Sequence, residues 1–397
     1  MRGRISLAVV LGAGALLAWV AAPALSLRPY IPAVENFEQT LPEAKRLPAS
    51  GSEGHTGAAE RGHEGPRFIS PPLQAPHEFD LVGIAGEMRH VEIRVRDSGG
   101  EWSEWVEQSD GTPIFVDGAD EAQVRAAFRP EGRLHYVNVS GTAGGIGERL
   151  LSTARSAINE AFISVAATPI AEAVAPKPAF VTRARWGADV AEGGCVPPLP
   201  PELGTVRAGV IHHTVNANDY AAADAAGIVL GICSFHIQGN GWNDIGYNAL
   251  VDRFGTLYEG RAGGLVNPVV GAQAQGFNAQ TTAIASLGEH SATGLSPEAQ
   301  GAVIRYLAWR LGKAGLDPVT KKSKLTSAGG SLSKYASGTV VSLPRVIGHR
   351  DLGLTECPGN ALAAQIATIR RQVQKRIKKF AKGRKKKGKR KKRVVPG

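Results

Sequence analysis

Two short stretches far apart in the chain carry the residue types of a metal centre, and a fold that uses them must bring them together. Gly348-His349-Arg350-Asp351-Leu352-Gly353-Leu354-Thr355-Glu356-Cys357-Pro358 sets an imidazole and a thiol eight positions apart. Val210-Ile211-His212-His213-Thr214 is a short apolar run that ends in a histidine pair. Two imidazoles and one thiolate make a three-ligand zinc site with its fourth position open, which separates catalytic zinc from structural zinc closed by four protein ligands. Zinc held in this way lowers the pKa of water from ~15.7 toward ~7 and so supplies a nucleophile at neutral pH. Taken singly the residues read more simply, since a lone His is commonly a hydrogen-bonded core residue and a lone Cys a small buried hydrophobe.

The neighbouring motifs narrow the choice. Ile211-His212-His213-Thr214, Asp244-Ile245-Gly246-Tyr247-Asn248, Tyr258-Glu259-Gly260-Arg261 and Gly348-His349-Arg350-Asp351 through Cys357-Pro358-Gly359 resemble the peptidoglycan recognition protein family. That family overlaps the type 2 N-acetylmuramoyl-L-alanine amidases, and the version here is similar to the secreted actinobacterial one. The likeness runs in order from Arg185-Trp186-Gly187-Ala188-Asp189 to near Gln374. It implies an α/β catalytic domain, a mixed β-sheet flanked by helices. It also implies a zinc amidohydrolase, an N-acetylmuramoyl-L-alanine amidase that cuts peptidoglycan between the lactyl group of N-acetylmuramic acid and L-alanine.

The resemblance gives Zn2+ as cofactor and His212, His349 and Cys357 as its ligands. It selects the first His of the pair, and the period of a strand supports choosing one, because neighbouring side chains point to opposite faces. His213 is left to pack or hydrogen-bond behind the metal, and joins Arg261, Gln273 and Asn278 as candidates for substrate contact. Tyr247 matches the active-site Tyr whose hydroxyl lies beside the reacting water. A phenol near ~10 is a poor general base unless its surroundings assist. Thr355 stands where relatives carry Lys or Thr, and its hydroxyl can donate to the oxyanion that develops on the amide. Asp351 and Glu356 are either carboxylates that orient a ligand imidazole or solvated loop residues. Gln273 departs from the His common in relatives, and Ala262-Gly263-Gly264-Leu265 lacks the aromatic pattern of animal members. Family members that lose the zinc Cys keep only binding, so a non-catalytic peptidoglycan receptor or wall tether is the alternative. Cys357, both His ligands and Tyr247 are all present, which favours the enzyme.

Compartment follows from the N-terminus. Arg2 and Arg4 precede an uncharged Leu-, Val- and Ala-rich run to Ala22, and Ala22-Pro23-Ala24 offers small residues for cleavage, the pattern of an export signal. The expected location is therefore secreted or cell-wall-associated. With Cys357 assigned to zinc, Cys195 and Cys233 are the remaining pair in an oxidising compartment, where a disulfide is expected.

The net charge of +11 misdescribes the body of the chain. Residues 370–397 hold 16 Lys or Arg and no acid, so the rest carries a net charge of −5. A basic tail outside the cytoplasm meets anionic wall polymers or lipid headgroups, and export argues against a specific nucleic-acid partner. Peptidoglycan is the other expected partner, with the protein a monomer.

The chain length of 397 residues suggests more than one domain. The reading is a signal peptide at 1–25, a flexible segment at 26–76, a small β-rich domain at 77–140 and a linker at 141–178. The zinc amidase domain follows at 179–377 and a disordered basic tail at 378–397. Val91-Glu92-Ile93-Arg94-Val95-Arg96 alternates as a half-buried strand, and the short runs after it suggest a small β-sandwich-like domain. Trp102 and Trp105 read as sandwich core or as a sugar platform. In the catalytic domain, strands are expected at 206–213, 247–251, 256–259 and 282–287. Helices are expected at 221–237, at 297–311 behind the cap Ser296, and from 361. Lys313 to Ser342 reads as a long Gly-, Ser- and Lys-rich connection.

Overall fold

The alternation at Val91–Arg96 becomes a strand in which every second residue is buried. A computed structural model describes residues 34–47, 68–85, 91–97, 99–108, 111–130, 132–139, 175–188, 195–316 and 321–392. The export signal, the segment at 48–67 and nearly all of the linker at 141–178 lie outside the described residues. Among the described residues no helix is long and apolar enough to cross a membrane.

The N-terminal part contains β1 (Glu35–Thr40), β2 (Lys45–Arg46), β3 (Phe68–Ile69), β4 (Leu73–Ile84), β5 (Val91–Arg96), β6 (Val106–Glu107), β7 (Ile114–Ala126) and β8 (Arg133–Asn138). Hydrogen bonding joins all eight into one antiparallel sheet, with the long β4 and β7 at its centre. The register of β4 against β7 shifts at Gln74/Phe79 and Phe79/Leu81, so the sheet bends there. Phe79, Val82, Ile84, Ile93, Val124 and Tyr136 fill its core. One boundary changes from the sequence reading. The stretch taken as flexible, 26–76, supplies β1 to β3 and the start of β4, and β1 is stabilised by pairing with β8 about a hundred residues later. Trp102 and Trp105 are half-buried. Arg94 lies 4.7 Å and 4.6 Å from the two indoles, with Arg96 4.5 Å from Trp102 and Arg125 4.4 Å from Trp105. The two rings and three guanidiniums form a cation–π ladder.

The C-terminal part follows with α1 (Arg183–Trp186), β9 (Ala208–His213), α2 (Ala225–Ser234), β10 (Ala249–Val251), β11 (Leu257–Glu259) and β12 (Thr281–Ser286). It continues with α3 (Pro297–Lys313), β13 (Lys322–Thr326), β14 (Val340–Pro344), β15 (Val346–Gly348) and α4 (Asn360–Lys392). The central sheet runs β11-β10-β12-β9-β15, parallel except for the β10–β11 hairpin. This is the expected mixed sheet with flanking helices. Its β9 and β12 are fully buried runs, as parallel strands covered on both faces require. α3 and α4 cover one face, where Ile211, Ile284, Trp309, Tyr306, Leu362 and Ile369 share a core. The other face meets α2, whose helix gives way at Phe235–Gly239 to a π-helical turn rather than continuing. Ser296 caps α3 by accepting from Ala299 N–H at 3.1 Å.

The connection at 313–342 contains a strand, β13, which pairs with β14 in a hairpin absent from the sequence reading. The tail also differs, because α4 runs on through Lys392 where disorder was expected from 378. Lys and Arg are good helix formers, and adding a residue to an existing helix avoids the cost of nucleation.

Candidate active site and metal centre

Period-2 alternation along β9 sends Ile211 toward α3 and α4 and turns His212 to the other face. There His212 meets His349, which opens a 3-10 turn directly after β15, and Cys357 from the loop before α4. One donor atom from each of the three lies within 4.8 Å of the others, and all three side chains are buried. The His212 and His349 rings are 4.5 Å apart, and Cys357 Sγ is 3.7 Å from His212 Nδ1. The parallel pairing of β9 and β15 puts Gly348 level with Ile211, which is how residues far apart in sequence share one end of the sheet. Gly353 keeps the ring of His349 in place by being small, since a Cβ there would lie 2.9 Å from Nε2.

The tautomer of His212 is set by its second nitrogen. Nε2 lies 2.6 Å from Gln273 Oε1 and donates to it, while the Gln273 amide nitrogen donates to Thr281 Oγ1 at 2.8 Å. That leaves Nδ1 as a lone-pair donor facing Cys357. Burial, followed by the neighbouring His349, holds the His212 imidazole well below its usual pKa, so it is neutral and able to bind a cation. Two imidazoles and a thiol with one tautomer already selected fit a zinc ion. A second group, Cys195, Cys233 and Asp244, has similar spacing. Its two sulfurs are bonded to each other as a disulfide with a Cα–Cα distance of 5.7 Å, so it is no metal site.

These groups stand at the floor of an open cleft of about 150 Å³ lined also by Tyr247, Trp242, Gln275, Asn278 and Leu332. Tyr247 precedes β10, its ring 5.2 Å from that of His212 and its hydroxyl 2.8 Å from Thr112 Oγ1. Trp242 stacks near His236, with ring centroids 4.6 Å apart. His236 accepts from Gly246 N–H, and burial pushes its pKa down to about 3, so this support of the 242–247 loop is neutral.

The other sequence candidates fall in different places. Asn278 lines the cleft, and its Oδ1 accepts from the N–H groups of Gln273 and Ala274 at 2.9 and 2.8 Å. Gln273 also lines the cleft, and its amide is engaged by His212 and Thr281. His213 and Arg261 do not line it. His213 Nδ1 lies 3.7 Å from Glu289 and accepts from His290 N–H, because alternation turns it away from His212. Arg261 reaches the Ile245 carbonyl at 3.4 Å and faces Asp244, bracing the 244–262 region. Thr355 is half-buried and accepts from Cys357 N–H at 3.1 Å. Asp351 caps Gly348 N–H at 2.9 Å, and Glu356 pairs with Arg350 at 3.2 Å. Trp242, Gln275, Leu332 and Thr112 were not singled out by sequence. Trp242 had a signal, an aromatic in the Gly- and Asn-rich loop just before the Asp244 motif.

Comparison with known proteins covers the same region. The Amidase_2 family, described as N-acetylmuramoyl-L-alanine amidase, matches residues 202–360, a span that opens before β9 and closes just past Cys357. Peptidoglycan-recognition protein SC2 of Drosophila melanogaster is 33% identical over 162 residues, 40% of this chain and 71% of that protein. N-acetylmuramoyl-L-alanine amidase of Sus scrofa is 32% identical over 228 residues, 56% of this chain and 33% of that protein. Among solved structures, wild-type Drosophila PGRP-LB matches at 26% identity and a TM-score of 0.36, over 47% of this chain and 91% of that one. With the strand order and both histidine motifs in register with that span, the chain belongs to the family of peptidoglycan recognition proteins and type 2 amidases.

Proposed function

We propose that the protein is a secreted, zinc-dependent N-acetylmuramoyl-L-alanine amidase that hydrolyses the lactyl–L-alanine amide of peptidoglycan. The observation that carries this reading is the convergence of His212, His349 and Cys357, within 4.8 Å, on the floor of a cleft that Tyr247 also lines. When bound there, zinc supplies a Lewis acid that polarises the amide carbonyl and acidifies water. The remaining chemistry belongs to the chain. Gln273 holds His212 in the tautomer that presents Nδ1. The Tyr247 hydroxyl orients the attacking water and helps carry its proton toward the leaving amine. A hydroxyl that accepts one hydrogen bond can also donate one, which is what Thr355 would do toward the oxyanion. Asn278 and Trp242 give the substrate a polar and an aromatic wall. Export is supported by the Cys195–Cys233 disulfide, which suits an oxidising compartment. The basic end of α4 would hold the enzyme to anionic wall polymers or lipid headgroups.

The test is mass spectrometry of muropeptides from purified wall. Tyr247→Phe should keep zinc and fold but lower turnover on the order of ~10²–10⁴-fold, the range for a proton-transfer group. Unchanged turnover would return Tyr247 to the core.

A further inference from the structure

The matched family span begins at residue 202, yet the Tyr247 hydroxyl is met by a residue well outside it. Thr112 lies in the turn before β7, its Oγ1 2.8 Å from Tyr247 Oη, and only 2% and 5% of the two residues is exposed. The turn is also held from the catalytic side. Asn240 Nδ2 donates to the Gly111 carbonyl at 2.7 Å. Gly111 has a φ of +75, and a Cβ there would lie 2.8 Å from Asn240 Nδ2 and 3.3 Å from Cζ2 of Trp242. Behind the turn, Leu81, Phe115 and Val137 share one core with Ile228, Ile232, Phe235 and Tyr247. Ser234 Oγ donates to Asn36 Oδ1 at 3.0 Å across the same junction. A continuous apolar core with polar contacts at its rim fixes Thr112 against the phenol, because packed interiors do not slide freely.

We propose that Thr112 is a positioning residue of the amidase site and that the N-terminal sheet is part of the catalytic unit. The Thr112 hydroxyl donates to Tyr247 Oη and so turns the phenol's own proton toward the cleft, where the water and the carbonyl react. The reverse polarity would spend the Tyr247 proton inside the junction and leave none for the reaction. An unpartnered phenol rotates between two in-plane O–H orientations, and an external donor removes that choice before substrate arrives. The inference rests on the catalytic role proposed above for Tyr247.

Thr112→Val keeps the shape and removes the donor, whereas Thr112→Ser keeps the donor. In the full chain, Thr112→Val is expected to lower kcat about fivefold, the size of one ordinary hydrogen bond. KM, zinc content and Tm should stay unchanged, and Thr112→Ser should restore most of the turnover. In a Tyr247→Phe background, Thr112→Val should have no further effect. An equal loss in both backgrounds, or a loss accompanied by a fall in Tm, would show a merely structural role and overturn the inference. Full turnover in Thr112→Val beside a crippled Tyr247→Phe would sink this inference alone. Full turnover in Tyr247→Phe would sink the Tyr247 reading and this inference with it. Labelling with [13Cζ]tyrosine gives a readout apart from turnover: the Tyr247 resonance, identified by its loss in Tyr247→Phe, should shift in Thr112→Val. An unmoved resonance would mean that Thr112 does not act on the phenol.

Discussion

Gln273 is a residue whose place in the fold changes its meaning. From sequence it stands on the substrate side in a position where relatives have His, and its inability to carry charge looks like a loss. In the structure its Oε1 accepts a hydrogen bond from His212 Nε2–H, and that fixes which nitrogen faces the candidate metal site. Partners that orient ligand imidazoles are typically worth ~10–100-fold in metal affinity, so Gln273→Leu should weaken zinc binding by about that factor. Competition with a chromogenic chelator measures this, and wild-type zinc affinity in Gln273→Leu would return Gln273 to substrate contact. The three metal-site residues were legible because each sits inside a contiguous motif. Gln273 was not, since its partner His212 lies 61 positions away, and Thr112 is 135 positions from Tyr247. A contact of that span leaves no local pattern.

Elements with a strong period of their own were legible, and elements defined by their partners were not. β9, β12 and α3 carry continuous apolar runs or helical spacing, and α3 carries an N-cap signal. Ser296 meets that signal in full: its Oγ accepts from Ala299 N–H and donates to the Arg253 carbonyl at 2.5 Å. Ser296→Ala should therefore cost ~1 kcal/mol, read as a lower urea midpoint with an unchanged slope. No change in the midpoint would mean that solvent replaces the cap. By contrast β2 and β3 are two residues long, and β13 and β14 are a hairpin whose strands are separated by a Gly- and Ser-rich stretch. Such strands are held by a partner distant in sequence, β3 by the long β7, β2 by β3, and β13 and β14 by each other, so their sequences read as loop. The π-helical turn at Phe235–Gly239 likewise follows an apolar stretch that reads as plain helix. It brings His236 beneath Trp242 on the cleft wall.

At the scale of the molecule, charge and chemistry are divided. The candidate metal centre is built from buried side chains, whereas the excess of positive charge lies in the last 28 residues. Attraction of such a tail to a polyanion arises from counterion release and is weakened by screening. Deleting residues from Lys382 onward should reduce sedimentation with purified walls at low salt and leave turnover on small soluble muropeptides unchanged. Equal sedimentation of both forms across a salt titration would exclude the tethering role. The central claim concerns the metal and the bond. Purified full-length protein should release glycan-free stem peptides with a free L-alanine N-terminus from peptidoglycan. Stoichiometric removal of metal should abolish that release, added Zn2+ should restore it, and Cys357→Ser should neither retain zinc nor recover. Release of the same ends by the metal-free protein, or no release by the zinc-loaded protein, would contradict the account.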